Sequence, residues 1–483
     1  MGDLISMGNP WAGLRNRVLE SRAGRQISGT GLKARLIRGT GGTIMLRSSN
    51  IVLQFVISLA LARLLSVDGY GVYNYAMAWI TLLIVPAISG FDRLLIRDTA
   101  IHRAQAAWSS IHGLLRFGNR VTVAVALLLM AAGMGIAWLT YEITGRPAML
   151  NAEQANLARV ALYTLLIALV LLPLRAVLLF QQAAMQGMHH VVASQIPEQA
   201  FQPILFVALI GGVYWLSGAA RSAPRVMLLQ IVATGAALAC STYLLRRAVP
   251  SAVRDTAPVF ETRVWVHSAV LFALTRGFVT LNVQLDPVML GALNSAEAVA
   301  LFTVAQRGAQ LVSVLLLSVN VALAPTLAQL YADGNRRDLQ RTMTHSARLV
   351  VAGALPLTVF FVVWGDQFLR IFGTGFVKAH GALVLLSAGQ LVNALTGSAG
   401  LLLLMTQHER AVTLVTALSV VLHVLLNVLL IPRWGIEGAA VGGAVSTVFI
   451  NLLMIGIVWR ELKIHTTALG VIRWPTRKRA VGD

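Results

Sequence analysis

The sequence has few charged residues and almost no cysteine. Only 12% of its 483 residues are charged, against about 25% in an ordinary soluble protein, and 57% are hydrophobic. The one cysteine, Cys240, excludes an intramolecular disulfide, and no group of Cys and His residues has the spacing of a metal site. Alternation of apolar and polar residues is also missing, which argues against a transmembrane barrel. These absences favour a helical membrane protein.

Acidic residues are scarce beside basic ones, with 19 Asp and Glu against 39 Lys and Arg, so the net charge is +20. In a soluble protein this excess would indicate nucleic-acid binding. Here most basic residues fall in segments on one side of the predicted helices, which is the pattern of cytoplasmic loops. We therefore expect both termini in the cytoplasm, anionic membrane lipids as partners and no nucleic acid.

Apolar stretches of about 20 residues, long enough to cross a membrane as helices, recur along the chain. They predict an all-α integral membrane protein with about twelve transmembrane helices. A polar, basic linker at 247–263 divides these helices equally between 41–246 and 264–460, with basic cytoplasmic tails at 1–40 and 461–483. Residues 1–40 are too polar for a cleavable signal peptide. The predicted spans are 41–64, 70–95, 119–141, 157–180, 196–216, 225–246, 264–291, 297–325, 342–364, 381–404, 410–431 and 437–459.

The two halves of the chain resemble each other. A constant shift aligns matching residues in the first two spans of each half, so the sequence predicts two six-helix lobes related by a parallel pseudo-two-fold repeat around a central cavity. The aligned pairs include Arg47 with Arg276, Ser66 with Ser295, and Asp68 with Glu297.

Two arginines are predicted deep in the membrane. Arg276 and Arg307 lie about 18 and 15 Å from the ends of their spans, at 1.5 Å per residue. An arginine near the midplane costs at least ~2.5 kcal/mol unless it faces water, an anion or an acid. One interpretation is an anion site in a hydrated cavity, with Arg47 as a third member. The other is pairing with a carboxylate, for which Asp286 is the expected candidate.

Polar residues at helical spacing accompany these arginines. Such a face within a membrane must contact water or another helix, so the residues either line the cavity or form hydrogen bonds between helices. We expect no metal, cofactor or catalytic motif, and coupling to an H⁺ or Na⁺ gradient or to the substrate's own gradient. The predicted cavity lining is Asn50, Gln54, Ser58, Thr280, Gln284, Thr303 and Gln310, and the candidate ion-coupling group is Asp286, His423 and Asn427.

Five segments of the chain carry recognisable motifs, and they are Leu65–Tyr73, Gly90–Leu95, Asp286–Ser295, Ala324–Tyr331 and Leu430–Ala440. Together they resemble the Wzx-type polysaccharide flippases of the multidrug/oligosaccharidyl-lipid/polysaccharide (MOP) exporter superfamily. They occur in the family's order, and the resemblance covers roughly residues 40–460. The chain differs from lipid II flippases of the same superfamily, which have two further helices.

The resemblance implies a flippase, and not an enzyme. It implies that undecaprenyl-pyrophosphate-linked oligosaccharide repeat units cross the bacterial inner membrane by alternating access, for O-antigen or exopolysaccharide synthesis. Arg276, Arg307 and Arg47 would bind the pyrophosphate and the polar residues the sugar. We expect a monomer that works with polysaccharide polymerase and assembly proteins. A multidrug/cation antiporter of the same fold and a membrane polysaccharide polymerase or ligase are the alternatives.

Overall fold

The structure is a computed structural model that describes residues 32–144, 151–217 and 222–470. Within these ranges the regular elements are helices and there are no strands. Ten helices of the described chain are long and apolar enough to cross a membrane, which confirms an all-α membrane fold. The count of twelve spans and the two-lobe arrangement remain predictions.

Long helices make up most of both halves of the chain. The first half contains α1 (Leu32–Leu64), α2 (Val67–Ile88), α3 (Phe91–Ala104), α4 (Trp108–Thr144), α5 (Ala152–Leu169), α6 (Leu171–Gly187), α7 (Val191–Ile196), a π-helical turn (Pro197–Phe201), α8 (Gln202–Ser217) and α9 (Ala223–Ala248). A short α10 (Ser251–Arg254) lies in the linker. The second half contains α11 (Thr262–Leu293), α12 (Ala296–Ala332), α13 (Arg336–Phe372), a 3₁₀ turn (Thr374–Ala379), α14 (His380–Thr396), α15 (Ala399–Met405) and α16 (Glu409–Leu462).

The second predicted span, 70–95, is wrong at its far end. Helix α2 stops at Ile88, and Ser89 and Gly90 both adopt left-handed conformations, with φ of 52° and 76°, before α3 begins. Glycine is required at position 90, because a Cβ there would overlap the carbonyl oxygen of Ala269 on α11. The break therefore lets the two halves of the chain approach backbone to backbone.

Helix α16 contains two antiparallel segments. Its 54 residues turn back at Gly435, where φ is 55° and ψ is −126°. The Ser419 hydroxyl donates to the Ser446 carbonyl at 3.3 Å across the resulting hairpin. Pro432 lacks a backbone N–H and precedes the turn, which favours the reversal there. The chain thus turns between the predicted spans 410–431 and 437–459.

The turns that precede α2 and α12 have equivalent caps. Ser66 accepts a hydrogen bond from the Gly69 N–H, and Ser295 accepts one from the Ala298 N–H. Serine at this position satisfies an N–H that the first turn of a helix leaves unpaired. The structure therefore supports the sequence alignment at these two turns.

The halves pack together along α2 and α11. A Cβ on Gly71 would overlap the carbonyl oxygen of Ala296, and Gly90 meets Ala269 at the other end. Phe55 of α1 packs against Phe372 of α13, with ring centroids 5.6 Å apart. These contacts place α1, α2, α11 and α12 around the region between the halves.

The linker packs against the first half. The Val259 N–H donates to the Ser109 carbonyl at 3.1 Å, and the His112 ring nitrogen lies 2.7 Å from the Thr256 carbonyl. Trp265, at the start of α11, is buried near Phe117, with ring centroids 5.9 Å apart. The first turns of α11 are therefore attached to the first half.

Candidate functional site

An ion pair joins the two halves at Arg276. The Arg276 guanidinium donates to the Asp92 carboxylate of α3, and their side chains are 35% and 12% exposed. The expectation that Asp286 would be the carboxylate partner is wrong. Asp92 takes this position because the break at Gly90 redirects the chain beside α11.

Arg307 lies on α12, opposite aromatic hydroxyls of α2. Its Nη1 is 3.5 Å from Oε1 of Gln310, a long contact, and its charge interacts with the hydroxyls of Tyr70 and Tyr73. Within the part of the chain that the structure describes, no carboxylate forms an ion pair with Arg307. Arg307 is half-buried, and a guanidinium without a carboxylate partner can bind an anion.

The structure describes the backbone of Arg47 but not its side chain. Helix α1 begins at Leu32, earlier than the predicted 41. Arg47 is then at least about 22 Å from the start of α1, and Arg276 is about 21 Å from the start of α11, at 1.5 Å per residue. The side chain of Arg47 lies outside the described residues, so its role in anion binding remains a prediction.

A cavity of about 410 Å³ lies in the first half, and we call it the amide cavity. Asn50 and Gln54, two of the residues predicted to line a sugar-binding cavity, lie in its wall. The amide nitrogen of Asn50 donates to the Gln199 carbonyl at 2.9 Å, which ties α1 to the π-helical turn. Its full lining is Asn50, Ile51, Gln54, Ile57, Tyr73, Met77, Arg175, Glu198, Gln199, Gln202, Pro203, Phe206 and Gln230.

Arg175 and Glu198 are charged residues of this cavity that the sequence did not indicate. Arg175 and Glu198 line the same cavity, so residues of opposite charge lie together in its wall. The predicted fourth span, 157–180, ends five residues after Arg175 and so places this arginine near a helix end. The helix continues to Gly187, which moves Arg175 inward.

The other residues predicted to line the cavity do not lie together in one cavity. The Ser58 and Tyr70 hydroxyls are 2.6 Å apart and buried, and the Thr303 hydroxyl donates to the Val299 carbonyl of its own helix. Both polar groups are therefore satisfied inside the protein. Thr280 and Gln284 are half-buried on α11. Gln310 lines a different cavity, in the second half.

The predicted ion-coupling group assembles as one cluster. His423 Nε2 lies 2.8 Å from Asp286 Oδ1, and the Asn427 amide donates to the same oxygen at 2.7 Å. All three side chains are buried. Asp286 and His423 border the second-half cavity of about 160 Å³, which Asn282, Gln306, Gln310, Gln390 and Thr447 also line. No group of three or more Cys, His or acidic residues suited to a metal occurs in the described chain.

Two family models match the sequence. Residues 36–331, more than half of the chain, match the model described as polysaccharide biosynthesis protein, and residues 273–429 match the MatE model. The chain belongs to the polysaccharide biosynthesis protein family. The resemblance to MOP-superfamily polysaccharide flippases is thereby confirmed.

Similar proteins agree with this family assignment. The probable low-salt glycan biosynthesis flippase Agl15 of Haloferax volcanii is 24% identical over 163 residues, and the match spans 34% of each chain. An inward-facing multidrug resistance MATE family transporter of the MOP superfamily has a TM-score of 0.68 at 14% identity, with 86% of this chain and 94% of that one covered. The lipid II flippase MurJ, in an inward closed conformation, gives 0.65 at 12% identity, with 87% of each chain covered. The chain therefore has the fold of MOP-superfamily transporters.

Proposed function

We propose that this polysaccharide biosynthesis protein moves undecaprenyl-pyrophosphate-linked oligosaccharide repeat units from the inner to the outer leaflet of a bacterial inner membrane, by alternating access. The observation that carries the proposal is the position of Arg276. It lies on a membrane-spanning helix at the contact between the halves, where its side chain is 35% exposed and pairs with Asp92 of the other half. A half-buried arginine of this kind suits a pyrophosphate, whose oxygens accept paired hydrogen bonds from guanidinium groups.

The arginines offset the cost of moving the headgroup out of water. Arg276 and Arg307 bind the pyrophosphate, and Arg175 adds a third positive charge next to the amide cavity. Attraction between opposite charges is stronger in low dielectric than in water, so a cavity that excludes bulk water favours binding. The prenyl chain stays in the lipid, because moving an apolar chain out of lipid would not lower its free energy.

Asp92 couples substrate binding to the contact between the two halves. It neutralises Arg276, and the pyrophosphate competes with it for the same guanidinium donors. Loading therefore breaks an ion pair that holds the halves together. Once the headgroup leaves, the Asp92–Arg276 pair forms again and resets the transporter.

We assign ion coupling to Asp286, His423 and Asn427. A buried carboxylate with an imidazole at 2.8 Å can exchange a proton, and the oxygens of Asp286 and Asn427 are also ligands that Na⁺ accepts. The protein is proposed to act as a monomer with both termini in the cytoplasm. Polymerase and assembly proteins of the same polysaccharide are the proposed partners.

A deletion strain tests the proposed function. Without the protein, lipid-linked repeat units should accumulate on the cytoplasmic leaflet, where an added membrane-impermeant reagent reaches them only after lysis. The native gene should restore surface polysaccharide. Normal export of the glycan combined with new sensitivity to cationic drugs would instead indicate the multidrug antiporter.

A further inference from the structure

The amide cavity has a rigid polar framework. The Gln202 amide donates to the Thr234 hydroxyl at 2.8 Å, and that hydroxyl donates to the Gln230 carbonyl at 2.8 Å. Asn50 holds the π-helical turn through the Gln199 backbone carbonyl. These bonds fix the side chains of Asn50, Gln202 and Thr234 before any ligand enters.

Two hydrogen-bond acceptors in this framework lack partners. The side-chain oxygens of Gln199 and Gln230 are buried and accept no hydrogen bond from any described residue, and Gln230 as a whole is only 8% exposed. Both glutamines line the amide cavity. A buried acceptor without a partner is unfavourable, so these oxygens are suited to a ligand that brings donors.

The charges of the cavity restrict the class of ligand. Arg175 in the cavity wall disfavours an organic cation, and Glu198 in the same wall disfavours a second anion beyond the pyrophosphate. A neutral ligand with many hydroxyl groups meets both conditions. Its hydroxyls donate to the glutamine oxygens and to Glu198, and they accept from Arg175. Tyr73 and Phe206 supply aromatic surface for a ring.

We infer that the amide cavity binds the saccharide next to the pyrophosphate, with sugar hydroxyls donating to the side-chain oxygens of Gln199 and Gln230. This inference rests on the proposed function, and it adds that the first half recognises the glycan. The cavity volume of about 410 Å³ falls in the range of ~300–1,000 Å³ typical of small-molecule sites. Arg175 lies in the same cavity wall, so a cation that can bind the pyrophosphate stands beside the proposed sugar position.

Binding to two lipid probes separates the sugar contacts from the anion contacts. The probes are undecaprenyl pyrophosphate and the lipid-linked glycan extracted from the deletion strain, each titrated into purified protein in nanodiscs. Native protein should bind the glycosylated lipid more tightly. Gln199→Met and Gln230→Met keep the side-chain volume but remove the acceptor, so each should weaken binding of the glycosylated lipid about fivefold and leave undecaprenyl pyrophosphate unchanged.

Two controls make the outcomes distinct. Gln181→Met removes a buried glutamine of the same half that bonds to Thr242 at 3.0 Å outside the cavity, and it should change neither affinity. Arg276→Ala should weaken both probes equally. If the Gln199 and Gln230 variants bind the glycosylated lipid as the native protein does, or weaken both probes alike, the sugar site is wrong. If native protein binds neither probe, the proposed function itself fails.

Discussion

Replacing Asp92 with Asn should make Arg276 a stronger anion site. The carboxylate competes with substrate for the guanidinium, and a hydrogen bond between charged groups contributes about 1.5–3 kcal/mol. Because the Arg276 side chain is 35% exposed, solvent screening lowers this contribution to about 1–2 kcal/mol. Asn keeps the shape of the side chain but removes its charge, so affinity for undecaprenyl pyrophosphate should rise about tenfold, at ~1.4 kcal/mol per factor of ten.

Titration of undecaprenyl pyrophosphate into purified protein in nanodiscs measures this effect. Asp98→Asn is the matched control, since Asp98 lies on the same helix, is similarly buried and pairs with its neighbour Arg97 at 2.6 Å. That variant should bind as the native protein does. In the Asp92→Asn, Arg276→Ala double variant the gain should disappear, because its target is gone. Unchanged or weaker binding in Asp92→Asn alone would refute competition between carboxylate and pyrophosphate.

Three further predictions concern transport and topology. Arg307→Ala should insert normally into the membrane but should abolish surface polysaccharide in a complementation assay. Arg307→Lys should restore part of it, because Lys keeps the charge without the paired donors. Full complementation by the Ala variant would show that this arginine is structural. Asp286→Asn should remove the dependence of transport in proteoliposomes on an imposed H⁺ or Na⁺ gradient, and a retained dependence would exclude this cluster from coupling. In a Cys240→Ala protein, cysteines within 365–380 should react with an impermeant thiol reagent in intact cells and those within 250–261 only after lysis, whereas the opposite pattern would reverse the orientation.

The sequence was sufficient for the membrane fold. The length of an apolar stretch can be counted in the sequence and compared with the thickness of the bilayer. The Asp286, His423 and Asn427 cluster was also predictable, since buried polar groups in a membrane require each other as partners. The turn at Gly435 follows from Pro432 and the glycine after it.

The partner of Arg276 was not predictable from the sequence. An apolar window runs through Ser89 and Gly90 without a break, so Asp92 appeared to sit at a helix end. Only the close packing of Gly90 on α11 brings Asp92 to Arg276. Arg175 was missed for a similar reason, because the end of an apolar window does not determine where a helix ends.

Transport in a purified system tests the central claim most directly. Proteoliposomes that contain the protein and the lipid-linked glycan from the deletion strain are treated with an impermeant reagent that modifies exposed sugar. The native protein should bring glycan from the inner leaflet to the reagent, so the fraction of glycan that is modified should exceed the fraction in protein-free vesicles. With the Arg276→Ala variant, the modified fraction should equal that of protein-free vesicles. Native protein indistinguishable from empty vesicles, or an Arg276→Ala variant as fast as native, would contradict a flippase that works through this arginine.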